Sequence, residues 1–201
     1  MYLNFKIKVP AFIEFIILYF LLRYRKKHYG FAFRRIKLTN GKPAAAGYAV
    51  VDPDDYRKLA KEDWQLYENS ADNFYAVRLE GKNLVRMHRV IMNAPPGKIV
   101  DHRNGDGLDN TKRNLRFATP SQNSCNCRRR QKGSSKYRGV YFAKNRGKWR
   151  VQISYNGTRL HLGYFDNEED AARAYDEAAM LYHKEFAVLN FPNDPQIKTV
   201  A

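Results

Sequence analysis

A carboxylate, an imidazole and two carboxamides occur close together in the sequence, at Asp101, His102, Asn114 and Asn123. The Asp101 carboxylate and the Asn123 side-chain oxygen are hard oxygen ligands of the kind that Mg²⁺ prefers. The His102 imidazole titrates near neutral pH, so it can take a proton from an attacking water molecule. A divalent cation would relieve the charge on a leaving phosphate oxygen. This set predicts metal-dependent phosphodiester hydrolysis, with Asp101 and Asn123 as metal ligands and His102 as the general base.

The surrounding elements explain how residues so far apart in sequence would meet. The apolar run that ends at Asp101 predicts a strand, and a polar loop leads from it to a second short strand. Thr119 followed by Gln122 predicts a capping box, and Pro120 suits the first helical position. Asn123 would then lie in the first turn of a helix. The order strand, loop, strand, helix therefore brings the two metal ligands to one place.

Two neighbouring residues have expected supporting roles. We expect Asn114 to hydrogen-bond the loop backbone and hold His102 in place, and Arg116 to steady the scissile phosphate. The alternative is a polar turn between two strands, in which His102 is merely hydrogen-bonded. A lone Asp-His pair would favour that turn, whereas the spacing to Asn114 and the capped Asn123 favours a catalytic site.

The letters D-H at 101–102, N-L-R at 114–116 and Q-N at 122–123 resemble the HNH endonuclease motif, which has the ββα-metal fold of homing endonucleases. The three motif positions fall on His102, Asn114 and Asn123. Many members end the motif with histidine, whereas this chain has asparagine there, as phage-type homing nickases do. The resemblance implies a DNA endonuclease that uses magnesium or another divalent metal ion. It also implies one strand cut per active site, with 3′-hydroxyl and 5′-phosphate ends.

The residues before this motif predict a small α+β lead-in. Asp52 would begin a short helix that ends near Ala60, and residues 64–67, 74–79 and 84–92 alternate like strands. Residues 88–92 also match the leading strand of the HNH family. His88 and Arg89 are candidate phosphate contacts, with packing as the equal alternative.

The charge distribution predicts a nucleic-acid partner. The chain has 36 basic and 20 acidic side chains and a net charge of +16. Residues 128–165 contain eleven Lys or Arg and no Asp or Glu, whereas residues 166–201 contain three basic and eight acidic residues. A basic block of this kind indicates a surface that faces phosphates. Basicity alone would also suit RNA or an anionic membrane.

The basic block has the pattern of a sheet covered by a helix. Residues 137–143, 148–155 and 159–165 predict three antiparallel strands, and Asn156-Gly157 is a strong hairpin signal. Residues 168–184 predict a helix whose alanines let it lie close to the apolar side of the middle strand. The opposite side, rich in basic and amide groups, would stay free. Such a ribbon can enter the major groove of DNA.

The letters Y-R-G-V, K-W-R-V-Q-I, L-G-Y-F, E-D-A-A-R-A-Y-D-E-A-A and L-N-F-P resemble the plant Apetala-two, or ethylene-response-factor, DNA-binding domain over residues 137–192. The resemblance implies that seven residues face DNA: Arg138, Gly139, Tyr141, Gln152, Ser154, Arg159 and His161. Four of these positions usually hold Arg, Glu, Arg and Trp in the plant domain, so we expect a different target sequence. We expect Lys144, Arg146 and Arg150 to contact phosphates rather than bases.

The expected fold class is α+β: a ββα-metal HNH nuclease module plus a three-stranded antiparallel sheet packed on one helix. A chain of 201 residues can bury two small cores rather than one large core. The expected division is an apolar and basic N-terminal extension at 1–33, a lead-in at 34–84, the nuclease module at 85–127, a basic linker at 128–136, the Apetala-two-type domain at 137–192 and a tail at 193–201. Gly133-Ser134-Ser135 predicts a flexible joint in the linker.

The apolar run at residues 11–22 favours neither a membrane span nor a secretory signal. It would form about 18 Å of helix, short of the roughly 30 Å hydrocarbon core. No small-residue cleavage site follows it. A membrane-surface anchor through residues 11–22 and an extension created by too early a start assignment both stay open.

The remaining expectations concern partners and location. Cys125 and Cys127 lack a second pair, so we expect no structural zinc and a reducing, cytoplasmic setting of bacterial or phage type. Double-stranded DNA is the expected partner, no small-molecule cofactor is expected, and the oligomeric state is left open. The sequence thus favours a DNA endonuclease. The alternatives are a DNA-binding transcriptional regulator with an inactive nuclease module and a membrane-associated binding protein.

Overall fold

The computed structural model describes residues 11–39, 47–70, 73–126 and 133–194. Its chain divides into two compact units. The first unit holds residues 1–93 and 106–115, and the second holds residues 94–105 and 116–201. Each unit mixes helices with antiparallel strands, which confirms the expected α+β class.

Among its described residues, the first unit contains three helices and two small sheets. Its elements are α1 (Ala11–Tyr29), β1 (Arg34–Lys37), β2 (Tyr48–Val51), α2 (Pro53–Leu59), β3 (Gln65–Ser70), β4 (Asn73–Glu80), β5 (Asn83–Arg86) and α3 (Met87–Ile91). Strand β1 pairs with β2, and β4 lies between β3 and β5. The Trp64 side chain is 1% exposed, and its indole N–H donates to the Leu59 carbonyl at 2.9 Å. The predicted helix after Asp52 is thereby confirmed and tied to the core.

The prediction of a strand over residues 84–92 was wrong in its second half. The strand ends at Arg86, and Met87 begins α3. Met87 and the partly buried Val90 and Ile91 pack on one core, at the i, i+3, i+4 spacing of a helix. The segment that was matched to a leading strand of the HNH family is therefore a helix.

The second unit joins a ββα arrangement to a helix-backed sheet. Its elements are β6 (Ile99–His102), β7 (Leu115–Ala118), α4 (Pro120–Cys125), β8 (Val140–Ala143), β9 (Lys148–Tyr155), β10 (Thr158–Phe165), α5 (Glu168–His183) and a 3-10 turn (Lys184–Phe186). Strand β6 pairs with β7, and β9 lies between β8 and β10. These elements confirm the predicted ββα order and the predicted three-stranded sheet.

Helix α5 covers the apolar side of that sheet, as the sequence predicted. Val151 and Ile153 of β9 are at most 1% exposed and pack against a helix face rich in alanine. The buried residues of that face are Ala171, Ala172, Tyr175, Ala178 and Ala179. Small side chains let the helix axis approach the sheet closely. The Asn167 side chain caps the helix by accepting from the Glu169 N–H at 2.7 Å.

The predicted flexible joint is instead hydrogen-bonded to the sheet domain. The Ser134 hydroxyl accepts from the Phe142 N–H at 2.7 Å, and the Ser135 hydroxyl accepts from the Tyr137 N–H at 3.0 Å. Ser135 is 8% exposed. Serine hydroxyls commonly satisfy nearby backbone donors in this way, which composition alone did not separate from linker flexibility. Cys127 of the predicted nuclease module and residues 128–132 of the basic linker lie outside the described residues.

Helix α1 has many exposed apolar side chains, among them Phe12, Phe15 and Phe20. Across the described ranges, no helix combines the length and the apolar character needed to cross a membrane. Surface anchoring through residues 11–22 stays a prediction.

Candidate active site and DNA-binding sheet

The start of α4 has the geometry that its sequence predicts. The Thr119 hydroxyl accepts from the Gln122 N–H at 3.2 Å, and the Gln122 side-chain oxygen accepts from the Thr119 N–H at 2.8 Å. This reciprocal capping box fixes where the helix begins relative to β7. Asn123 follows directly in the first turn, and its N–H donates to the Thr119 carbonyl.

Asp101 is held by two side chains in a nearly dry environment. Its Oδ2 accepts from Arg116 Nε at 2.8 Å, and both side chains are 7% exposed. The Asn126 Nδ2 atom donates to Asp101 Oδ1 at 3.0 Å and Oδ2 at 3.1 Å, and to the His102 carbonyl at 2.6 Å. A buried ion pair needs such additional hydrogen bonds to offset its desolvation. The carboxylate is therefore fixed in one orientation at the end of β6.

Asn126 is a residue that the sequence interpretation missed. It is the C-cap of α4 and lies three residues after Asn123, so both belong to the same side of the helix. That spacing was the available signal. The predicted pairing of Asp101 with Asn123 around a metal ion stays a prediction. The Asn126 carboxamide bonds Asp101 in the structure.

Arg116 is buried rather than presented to solvent. Its Nη1 donates to the Glu185 carbonyl, and its guanidinium carbon lies 3.6 Å from the centre of the Phe186 ring. Together with Asp101, these groups contact the edge and the face of the guanidinium. The role of Arg116 at a scissile phosphate stays a prediction. In this structure its ionic partner is the Asp101 carboxylate.

The loop of the first unit that carries Asn114 is tied to β2. The Asn114 Nδ2 donates to the Asp109 carbonyl at 2.7 Å, which matches the expected bond to the loop backbone. The Asn110 N–H donates to the Val50 carbonyl, and the Val50 N–H donates to the Leu108 carbonyl, each at 2.8 Å. This loop is thus held by backbone bonds on both sides of Asp109.

His102, His88 and Arg89 lie in different environments. His102 is 5% exposed and lies at the end of β6 beside Asp101. His88 is 6% exposed, and its ring centre lies 5.7 Å from that of Tyr75, which favours the packing alternative for this residue. Arg89 lies half-buried on α3.

The outer face of the three-stranded sheet is a basic and aromatic surface. Cross-strand register places Tyr141 and Tyr164 on either side of Arg150, His161 beside Gln152, and Arg159 beside Ser154. These seven residues form what we call the outer row set. In the adjoining turn, Lys144 and Arg146 are exposed, and the Arg146 guanidinium carbon lies 4.6 Å from the Tyr164 ring centre. Arginine over aromatic rings gives a surface suited to phosphates and bases.

Tyr164 is the second residue that the sequence interpretation missed. Strict alternation from Arg159 places Tyr164 on the helix side. The register shifts between His161 and Gly163, so Leu162 is an extra residue and Tyr164 pairs with Arg150 on the outer face. Gly163 adopts φ +130°, a conformation that favours glycine at the bulge.

Arg138 and Gly139 contact residues outside the outer row set, although the Gly139 carbonyl also accepts from the Gln152 N–H at 2.9 Å. The Arg138 Nη1 donates to the Cys125 carbonyl at 2.9 Å. A Cβ atom on Gly139 would lie 2.0 Å from Cδ2 of Tyr175, so packing against α5 requires a glycine here. Burial raises the pKa of the Tyr175 hydroxyl, and the nearby Arg138 acts in the opposite direction. The DNA contacts of both residues stay predictions.

Comparisons with known proteins agree with this geometry. An HNH endonuclease family model matches residues 85–125, which include β6, β7 and α4. An uncharacterised HNH endonuclease of Acanthamoeba polyphaga mimivirus is 30% identical over 149 residues, which are 71% of this chain and 74% of the relative. The chain belongs to the HNH endonuclease family. The resemblance drawn from the motif letters is confirmed.

This HNH endonuclease family member also carries an AP2 domain, which confirms the second resemblance. The AP2 domain model matches residues 135–185. An AP2/ERF and B3 domain-containing protein of Oryza sativa subsp. japonica is 49% identical over 59 residues, 29% of this chain and 16% of that protein. An AP2/ERF and B3 domain-containing transcription factor of Arabidopsis thaliana is 42% identical over 71 residues, 35% of this chain and 20% of that protein. The chain thus spans a fifth or less of these plant proteins. No solved structure matches the chain.

HNH nucleases generally use a divalent metal ion. Within the part of the chain that the structure describes, no group of three or more His, Cys, Asp or Glu side chains could hold a metal. Asp101 supplies one carboxylate, and Asn126 turns its amide N–H group toward that carboxylate. A single carboxylate is compatible with Mg²⁺, because this ion keeps several waters and binds through one or two carboxylates together with substrate phosphates.

Proposed function

We propose that this HNH endonuclease nicks double-stranded DNA with one divalent metal ion, at sites selected by its AP2 domain. The observation that supports this most directly is the oriented Asp101 carboxylate, set beside His102 at the end of β6 and bonded by a side chain of α4. A strand-end carboxylate next to an imidazole supplies the acidic ligand and the base that phosphodiester hydrolysis requires.

Asp101 would hold the metal ion together with Asn123, and magnesium is the metal that these oxygen donors suit best. When bound, the ion would neutralise charge on the phosphate and on the leaving 3′ oxygen. Asn126 would keep the Asp101 carboxylate turned toward that position through its two bonds to the carboxylate oxygens.

His102 would accept the proton of the attacking water. Its backbone is fixed because the carbonyl accepts from Asn126 Nδ2 and from the Gly105 N–H at 2.9 Å. Attack on the phosphorus atom followed by departure of the 3′ oxygen leaves 3′-hydroxyl and 5′-phosphate ends. One such site in each chain cuts one strand, so the expected product is a nick. A homing lifestyle is proposed from the family alone.

The outer row set would enter the major groove. These residues lie on the side of the sheet that α5 leaves uncovered. They include arginine, tyrosine, glutamine and histidine groups, which can donate to base edges or stack on them. Lys144, Arg146 and Arg150 would bind phosphates, so affinity would fall steeply with salt. Held at the site in this way, a weak catalytic centre acts at a high local DNA concentration.

The test is nicking of supercoiled plasmid that carries candidate sites. The wild-type chain with Mg²⁺ should convert plasmid to the open circle, and a chelator should stop it. His102→Ala should abolish nicking while gel-shift binding survives, because only the base is lost. His28→Ala is the matched control, since this exposed histidine lies on α1 and should leave nicking unchanged.

Two results would contradict the proposal. If the wild type binds DNA but nicks no substrate with any divalent metal, the chain acts as a DNA-binding regulator with an inactive nuclease module. If nicking persists in His102→Ala, the base has been assigned to the wrong residue. Nicking that persists in the presence of chelator would contradict the proposed dependence on a divalent metal ion.

A further inference from the structure

We infer that the 3-10 turn Lys184–Phe186, which follows the AP2 domain helix, positions the catalytic carboxylate by holding Arg116. This inference rests on the proposed nuclease function and assigns Phe186 as a positioning residue for it. Neither family model includes Phe186, since the two models end at residues 125 and 185.

Three groups fix the Arg116 guanidinium, and two of them come from the turn. The Phe186 ring lies under the face of the guanidinium, with the guanidinium carbon 3.6 Å from the ring centre. The Glu185 carbonyl accepts from Nη1. The third group is Asp101, whose Oδ2 accepts from Nε at 2.8 Å. A planar cation held by its face and by one edge presents its remaining N–H in a single direction.

Burial makes these contacts strong enough to set an orientation. Phe186 is 4% exposed, and the side chains of Asp101 and Arg116 are each 7% exposed. Cation–π and ionic hydrogen bonds gain strength when water is excluded. If the ring were lost, Arg116 would gain rotational freedom, and Asp101 would lose its fixed cationic partner at Oδ2 while keeping the bonds from Asn126.

The DNA-facing sheet sets the position of this 3-10 turn. Helix α5 ends at His183, whose Nε2 lies 2.8 Å from the Ser154 carbonyl of β9. Lys184 then adopts φ +51°, which turns the chain sharply before Glu185 and Phe186. The backbone of Ser154, an outer-row residue, is therefore connected to Asp101 by a series of contacts through His183, the turn and Arg116.

Two other contacts join the same parts of this unit. Arg103, just after β6, pairs with the Glu185 carboxylate at 3.2 Å. Arg138 of the AP2 domain donates to the Cys125 carbonyl at the end of α4. The turn thus belongs to a contact surface between the ββα elements and the AP2 domain elements of one compact unit.

The test compares two phenylalanine-to-leucine variants of the full chain. Phe186→Leu removes the ring under Arg116 and keeps an apolar side chain. Phe191→Leu is the matched control, because its ring lies 5.1 Å from the guanidinium carbon of Arg173 rather than that of Arg116. We expect Phe186→Leu to lower kcat for plasmid nicking about tenfold, the order expected for a lost cation–π contact. The KM for DNA and the gel-shift affinity should not change, and Phe191→Leu should match the wild type.

A readout besides activity is the affinity for Ca²⁺, measured by calorimetry on the full chain without DNA. Phe186→Leu should weaken it several-fold, whereas Phe191→Leu should not. A purely structural role would not respond to fluorination, so trifluoro-phenylalanine at position 186 provides the third readout. It keeps the ring shape and weakens the negative face, and it should lower kcat in the same direction as leucine.

Each outcome decides the inference. If the wild type nicks and Phe186→Leu nicks equally well, the inference fails and the proposed function stands. Equal losses in both leucine variants, a rise in KM instead of a fall in kcat, or an unaltered rate with the fluorinated ring would also overturn it. If the wild type nicks nothing, the proposed function fails and the inference falls with it.

Discussion

Replacing Gly139 with alanine should destabilise the AP2 domain through one identifiable clash. Gly139 has φ +75°, and a Cβ atom there would lie 2.0 Å and 2.3 Å from two ring carbons of Tyr175. It would also lie 2.8 Å from the Gln152 carbonyl oxygen. Tyr175 is 5% exposed within the domain core, so its ring cannot move aside without disturbing α5 or β9.

The expected cost has two parts. A left-handed backbone costs an alanine about 1–2 kcal/mol. Overpacking of a close-packed core adds about 1–3 kcal/mol. The free energy of unfolding should therefore fall by about 2–5 kcal/mol, a large share of the roughly 5–15 kcal/mol that holds a typical domain together.

Comparing Gly139→Ala with Gly157→Ala isolates the second part, the overpacking. Gly157 has φ +79°, nearly the same as Gly139, but a Cβ atom added there would have no described atom within 4 Å beyond its chain neighbours. Its replacement should cost only the backbone term, and the effect of alanine on the unfolded chain cancels between the two variants. Urea unfolding of both variants, followed by circular dichroism, gives the difference directly. Equal midpoints would refute the close-packing argument for Gly139.

Three further predictions concern the cap, a buried acid and the missed tyrosine. Thr119→Ala should lower the unfolding free energy by about 1 kcal/mol and slow nicking, because the capping box that starts α4 is lost; urea unfolding and the plasmid assay check this. Asp176→Asn should cost about 1–3 kcal/mol in urea unfolding, because both carboxylate oxygens accept N–H bonds, two of them from Asn190. Burial raises the pKa of Asp176, so its contribution to stability is largest below its unfolded pKa and falls as pH rises through its folded pKa; the gap between wild type and variant should therefore narrow with rising pH. Tyr164→Ala should weaken gel-shift binding roughly fivefold, and unchanged binding would remove this residue from the DNA surface.

Local signals in the sequence predicted most of the second unit. The capping box at Thr119 and the Asn156-Gly157 hairpin depend on residues a few positions apart, so their structures follow from short-range chemistry. The alternation of β9 likewise predicted which side would meet α5. Helix α3 was missed because its five residues give too short a stretch to separate a helical from a strand pattern.

The contacts around Asp101 were not predictable in the same way. Arg116 lies 15 positions from Asp101 and 69 positions from Glu185, so no local pattern connects them. The bulge at Leu162 is a tertiary feature that reverses the face of the following residue, and it hid Tyr164 from an alternation rule. Asn126 was within reach, because helical spacing from Asn123 pointed to it.

The buried pairing of Asp101 with Arg116 affects which inactive protein is useful for trapping a DNA complex. Removing a metal ligand is a common way to silence a nuclease, but Asp101→Ala would leave a guanidinium without its counter-charge in a nearly water-free position. Stranding a charge in this way typically costs about 3–5 kcal/mol. With Asp101→Ala, loss of catalysis could therefore not be distinguished from loss of folding. His102→Ala avoids this problem because it leaves every ionic partner in place.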